Sequence, residues 1–230
     1  MIECRGGDGP ACLTAAQVKA ASKIYDRAGE DVLTGFKPGS ELGWAQLAGG
    51  PRPFRVGDDL FKYVVFKDAE WDFKTFDPAR DLALANRVDN NLLNATDPNL
   101  KPFTSRGGKL LVYHGWADQV LGPQYSVDYD NQAVAAVGPE QAASSIRLFM
   151  APGMAHCNGG VGPSSFDALA ALEQWVEQGR APAQIVASRL TDGKVDRTRP
   201  LCPYPQVAQY KGTGSTDEAQ NWVCGAPGTR

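Results

Sequence analysis

The sequence predicts an α/β fold built around parallel strands, on three observations. Two short apolar runs, Leu110 to Tyr113 and Ile146 to Met150, have the length and composition of strands in a buried parallel sheet. Each is followed by a helical stretch, "GPQYSVDYDNQAVAAVG" after the first and "SSFDALAALEQWVEQG" after the second. Each run also ends in a loop carrying a polar candidate, Asp118 and His156, where open parallel sheets gather catalytic groups. Strand, helix, strand, helix in that order describes a right-handed parallel βαβ unit.

Earlier elements read less regularly. In "LTAAQVKAASKIYDRAG", Thr14 with Gln17 makes a capping box, Leu13 with Val18 a hydrophobic staple, and Val18, Ala21, Ile24 and Tyr25 share a face. Residues 29–57 are rich in Gly and Pro and predict irregular structure. "DDLFKYVVFKDAEWDFKTFD" is aromatic and helical or mixed, with Phe61, Val64, Val65 and Phe66 packing inward or lining a pocket. "DPARDLALANRVDNNL" predicts a helix with Leu82, Ala85 and Val88 inward. In the first strand, burial on both faces is expected; in the second, Ile146, Leu148 and Met150 alternate. The last helix predicts Phe166, Leu169, Leu172, Trp175 and Val176 on one side, Ser164 or Ser165 as its cap and Gly179 at its end.

Composition narrows the function classes. The 230 residues suit one large domain, or one domain plus a piece of another, and the formal net charge is −3. No basic stripe with interleaved aromatics predicts a nucleic-acid partner, and no apolar run has the length of a membrane span. The opening "MIECRGGDGPACLT" lacks the charged start, apolar core and cleavage site of a secretory leader. Of the five cysteines, Cys4 and Cys12 flank a Gly/Pro loop, and Cys202 and Cys224 bracket a loop-rich tail. That pattern suits disulfides in an oxidising compartment, with buried cytosolic thiols as the competing reading. No Cys-x-x-Cys pair or histidine cluster predicts a zinc site.

The chemistry concentrates in the two strand-end loops. An aspartate that orients a histidine and stabilises its protonated form is half of a hydrolytic triad, and Asp118 before His156 fits the α/β-hydrolase order. An aspartate capping a turn and a histidine satisfied in its loop are the competing structural roles. The other histidine, His114, precedes Asp118 and so breaks the order for a base; loop packing is expected of it. Cys157 adjoins His156, but neighbours in an extended segment point apart, which argues against a cysteine–histidine catalytic pair. A nucleophile should precede Asp118, yet Ser22, Ser40 and Ser105 all lack a strand, tight turn and helix around them, and no G-x-S-x-G occurs.

"GGKLLVYHGWAD", "LFMAPGMAHCNGG", "ALEQWVEQGRAP" and "RTRPLCPYPQVAQYKG" resemble the carboxyl-terminal half of the tannase and feruloyl esterase family, which includes mono(2-hydroxyethyl) terephthalate hydrolase. "CLTAAQV" and "PGSELGW" resemble the later part of that family's lid domain. The resemblance implies an incomplete α/β-hydrolase fold, with residues 1–100 ending the lid and 101–230 forming the last strands and helices of the core plus a disulfide-stapled tail. It implies a secreted or periplasmic serine esterase acting on small aromatic acid esters, with Asp118 and His156 as the catalytic pair. Its nucleophile follows a cysteine that bonds the cysteine after the histidine, here Cys157, whose partner would lie upstream of residue 1. The family's other disulfides match Cys4–Cys12 and Cys202–Cys224. No cofactor is expected in this chain, because the family's calcium loop would also lie upstream. Trp44 and Phe66 are candidates to stack on the acid ring, with core packing as the alternative. The resemblance therefore implies the carboxyl-terminal part of a longer esterase, inactive alone. A non-catalytic disulfide-stapled binding module, or an enzyme using one of the three upstream serines, stands against it.

Overall fold

A computed structural model describes residues 3–5, 9–26, 35–47, 52–90 and 92–228. Cys4 and Cys12 form a disulfide ahead of α1 (Ala15–Tyr25). The Thr14 hydroxyl accepts the Gln17 N–H and the Gln17 side chain accepts the Thr14 N–H, so this helix starts where its capping box predicts. Within the span expected to be irregular, residues 29–34 and 48–51 lie outside the described residues. The rest contains a 3₁₀ turn (Glu41–Gly43) leading into α2 (Trp44–Leu47), then α3 (Arg55–Asp59) and a π-helical turn (Leu60–Val65). Phe61 of this turn packs ring on ring with Phe66, Trp71 and Phe76 beyond it, with centroids from 5.0 to 6.0 Å apart.

In α4 (Pro78–Asp89) the inward residue is not the expected Val88, which is exposed, but Asp81. Asp81 tolerates full burial because the Arg80 guanidinium and the Asp77 N–H donate to its carboxylate. Leu82 and Ala85 are half-buried. The chain then passes through α5 (Lys101–Thr104) into the strand-and-helix region that holds Asp118 and His156.

There β1 (Leu110–Gly115) is followed by α6 (Gln124–Val137), α7 (Pro139–Ser145) and β2 (Ile146–Ala151). β1 and β2 pair in parallel, with Leu110 opposite Ile146 and Gly115 opposite Ala151. Strands that run the same way in this register end at the same level, so the loops after Gly115 and Ala151 leave the sheet side by side. β2 is buried on both faces, as its apolar composition predicts. Leu148 and Met150 pack with Val127 of α6, and Ile146 with Ala133 and Ala142, while Phe149 and Ala151 pack on the opposite side. β1 departs from the expected burial on both faces: Leu110 to Val112 are half-buried and Tyr113 is exposed. The reason is pairing, since among the described residues β1 bonds only to β2.

The Phe149 side is covered by α8 (Ala168–Gln178) and a hairpin of β3 (Ile185–Thr191) and β4 (Lys194–Leu201), which contributes Ile185, Ala187 and Leu201. The α8 cap is Asp167, not Ser164 or Ser165, because the N–H groups of those serines both donate to the Ser188 carbonyl in β3. Nor does α8 bury the whole expected face. Trp175 is buried beneath Lys109 and Arg147, and Phe166 and Leu172 are half-buried, but Leu169 and Val176 are 65% and 60% exposed. Gly179 ends the helix in a left-handed conformation, as predicted.

After β4 the Tyr204 N–H donates to the Leu148 carbonyl at 2.7 Å, which seals part of the outer edge of β2. A last ribbon, β5 (Val207–Tyr210) with β6 (Trp222–Gly225), is tied to the end of β4 by the Cys202–Cys224 disulfide. Replacing both of these cysteines with alanine should lower the unfolding free energy by about 3 kcal/mol, the loop-closure value for a bridge of this span. Urea melts of the double variant and the parent check this; superimposable curves would show that the ribbon lies outside the cooperative unit.

Candidate active site

Gly115 ends β1 where no side chain fits. A Cβ at this position would lie 2.1 Å from the Met154 carbonyl oxygen. The close approach lets the Trp116 N–H donate to the Ala151 carbonyl at 2.9 Å and the Ala117 N–H to the Met154 carbonyl at 3.0 Å. The two loops are thereby stitched together through their backbones, and Asp118 is the next residue.

Asp118 is only 2% exposed. Its Oδ1 accepts the Val120 N–H at 2.7 Å and the Leu121 N–H at 2.8 Å, a local turn that fixes the carboxylate plane. Its Oδ2 lies 3.0 Å from His114 Nε2 and 2.9 Å from His156 Nδ1. Burial works against the charge, but hydrogen bonds from His114, the Leu121 N–H, His156 and the Val120 N–H outweigh it and hold the carboxyl well below the usual carboxylate range. Asp118 is therefore an ionised acceptor.

His156 lies in the tight loop after β2, where its carbonyl accepts the Asn158 N–H at 2.8 Å. Its own N–H donates to Gln119 Oε1 at 3.2 Å, and Gln119 Nε2 donates to Gln46 Oε1 on α2 at 2.8 Å. Gly43 makes room for this link, because a Cβ there would sit 2.3 Å from Gln119 Cγ. Gly43, Gln119 and Ala155 also line a hollow of about 180 Å³ beside the two loops. With Nδ1 committed to Asp118, the Nε2 of His156 carries no hydrogen bond among the described residues, and its side chain is 35% exposed. An imidazole so held can take a proton at Nε2 while the carboxylate stabilises the resulting cation.

The structure thus brings Asp118 and His156 together and adds His114, Gln119 and Gln46. His114 is more than loop packing, since both its ring nitrogens are bonded. Its position four residues before Asp118 at a strand end was the available signal. Gln119 and Gln46 had none, because their link joins distant segments. Cys157 is a free, exposed thiol, and no bond joins it to His156. Trp44 donates through Nε1 to Ser40 Oγ at 2.9 Å and meets Tyr25 edge-on at 4.9 Å, while Phe66 stacks on Trp71 at 5.1 Å. Both rings thus have packing partners in their own segment. Of the upstream serines, buried Ser40 is committed to Trp44 and the Lys37 carbonyl, Ser105 to the Pro102 carbonyl, and Ser22 lies on α1. None is hydrogen-bonded to His156. Among the described residues no cluster of acidic, histidine or cysteine side chains is suited to a metal ion, and no helix is long and apolar enough to cross a membrane.

The sequence profile of the tannase and feruloyl esterase family matches residues 54–225. A probable feruloyl esterase B-1 of Aspergillus oryzae is 32% identical over 233 residues, covering 93% of this chain and 43% of the relative. Mono(2-hydroxyethyl) terephthalate hydrolase of Piscinibacter sakaiensis is 42% identical over 170 residues, covering 71% of this chain and 28% of that enzyme. The crystal structure of feruloyl esterase B from Aspergillus oryzae superposes with a TM-score of 0.86 at 31% identity, over 97% of this chain and 49% of the other. The fold is accordingly of the α/β-hydrolase type. The chain spans about half the length of most of these relatives, and less of the terephthalate ester hydrolase.

Two outcomes follow from the site geometry. Gln119→Ala removes the link to the His156 N–H and Gly43→Ala displaces it, so each should cost about 1 kcal/mol of stability and speed hydrogen exchange at the His156 amide. Unchanged exchange in both would mean that the link does not hold the loop. The second outcome concerns pH. Because the folded carboxyl of Asp118 is depressed, its stabilisation is fully present above the unfolded value of about 3.9 and is lost as pH falls through the folded value. Urea titrations should show Asp118→Asn less stable than the parent at pH 7, with the gap closing as the pH drops below ~4.

Proposed function

Because the chain belongs to the tannase and feruloyl esterase family, we propose that it carries the acid–base half of a serine esterase acting on aromatic acid esters. The observation that carries this reading is the bond from His156 Nδ1 to Asp118 Oδ2 at 2.9 Å, which leaves Nε2 open for proton transfer. In the complete enzyme a serine hydroxyl from sequence upstream of these residues gives its proton to His156 Nε2 as its oxygen bonds the ester carbonyl carbon. The carbon–oxygen bond to the alcohol then breaks, and His156 returns the proton to the departing oxygen. Water repeats the cycle on the acyl-enzyme and releases the acid, while Asp118 stabilises the imidazolium at each transfer. Residues 1–100 belong to the lid that covers the substrate, and residues 101–230 to the core. The substrates are small aromatic acid esters, a class supported by the names of the feruloyl esterase and terephthalate ester relatives, with gallates and ferulates as the phenolic members. The two disulfides support a secreted or periplasmic location, where such bonds persist.

A fluorophosphonate probe should leave the 230-residue chain unlabelled. The chain extended upstream through a Cys-Ser element should label stoichiometrically and hydrolyse methyl ferulate or methyl gallate. In that longer chain His156→Ala should lower kcat by about 10⁴-fold or more, with little change in KM. Labelling of Ser22, Ser40 or Ser105 in the 230-residue chain would overturn the assignment of the nucleophile. Unimpaired turnover in the His156→Ala enzyme would overturn that of the base.

A further inference from the structure

A three-residue relay leaves His114 without a role, yet this imidazole is as firmly engaged as His156. It is the penultimate residue of β1, with its side chain 12% exposed. Nε2 is 3.0 Å from Asp118 Oδ2, the same oxygen that holds His156, and Nδ1 is 2.7 Å from Ser126 Oγ on α6. An ionised carboxylate only accepts, so Nε2 of His114 must carry a proton. A neutral ring then presents a lone pair at Nδ1, which the Ser126 hydroxyl satisfies by donating. The groups that face Asp118 are His114 from β1, His156 from the loop after β2, and the Val120 and Leu121 N–H groups from its own turn. Ser126 of α6 reaches it only through His114, and no other charged side chain is bonded to Asp118 or to either ring among the described residues.

We propose that His114, locked by Ser126, is a positioning residue: a second imidazole donor on the carboxylate oxygen that holds His156, sharing its negative charge and so moderating its grip on the His156 proton. This rests on the assignment of His156 as the base. Two donors on one oxygen divide its charge between them. Asp118 is thereby kept oriented when the His156 bond stretches during proton transfer, and His156 gives up its proton more readily than it would opposite an unshared carboxylate.

Nitrogen-15 NMR of the two imidazoles in the 230-residue chain tests the proposal. In the parent, His114 should carry its proton on Nε2; a neutral ring protonated on Nδ1 would overturn the proposal without any variant. In His114→Phe the titration midpoint of His156 should rise by roughly 1 unit, because the carboxylate now serves one imidazole alone. His114→Gln, whose amide can still donate, should restore part of that difference, and Ser126→Ala should give a smaller rise while keeping the ring in place. Unchanged His156 midpoints in folded His114→Phe and Ser126→Ala chains would sink the idea; if the Phe variant does not fold, Ser126→Ala and the parent tautomer decide. In the longer chain that bears the nucleophile, the acid limb of kcat/KM should move with the NMR midpoint. A moving midpoint with a stationary acid limb would leave the three-residue coupling intact and refute His156 as the base.

Discussion

A buried carboxylate that stays ionised must have its charge taken up by donors, and Asp118 is the group around which this half of the molecule is arranged. Its two oxygens accept four hydrogen bonds, two from backbone N–H groups of its own turn and two from imidazoles. Those donors belong to the end of β1, the turn leading to α6, and the loop after β2. Leaving such a charge unsatisfied costs several kcal/mol, so the same bonds that organise the chemistry also hold three segments in place. Stability and the proposed proton transfer draw on one interaction here, and neither can be altered alone at this position.

The convergence is possible because β1 and β2 run in parallel, with Gly115 opposite Ala151. Antiparallel pairing would send the two loops to opposite ends of the sheet. Gly115 adds the final closeness, since its missing side chain lets Met154 approach and the two loops exchange backbone hydrogen bonds. β2 is the buried centre of this arrangement, covered by α6 and α7 on one face, by the β3–β4 hairpin on the other, and capped along its edge by Tyr204. The loop that carries His156 thus grows from the best-packed strand in the described chain, which fixes where its imidazole is held.

The amino-terminal segment reaches the histidine loop through a chain of side-chain contacts. Gln46 on α2 bonds Gln119, and Gln119 bonds the His156 N–H, so a short helix of the region read as lid braces the histidine loop from above the sheet ends. Trp44 and Ser40 brace that helix in turn, which accounts for the burial of Ser40 and for the packed state of Trp44. Phe66 belongs to a separate aromatic cluster, built around Phe61 and Trp71.

What the sequence by itself determined is the local grammar and the placing of Asp118 and His156 at neighbouring strand ends. The Thr14 box, the Gly179 terminus, the two apolar runs and the polar residues at their ends depend on neighbours within a few positions, and the structure keeps all of them. Burial was legible only in part. Val88, Leu169 and Val176 have helical spacing but remain exposed, and the α8 cap moved to Asp167 because Ser164 and Ser165 are drawn to β3. Whether a face is covered depends on which other segment arrives, which periodicity does not encode. The fixing of His114 by Ser126 and the Gln46–Gln119–His156 link were decided by tertiary structure alone. Each needs groups from different elements to meet within about 3 Å, a distance set by strand register and helix placement rather than by any residue's own preference.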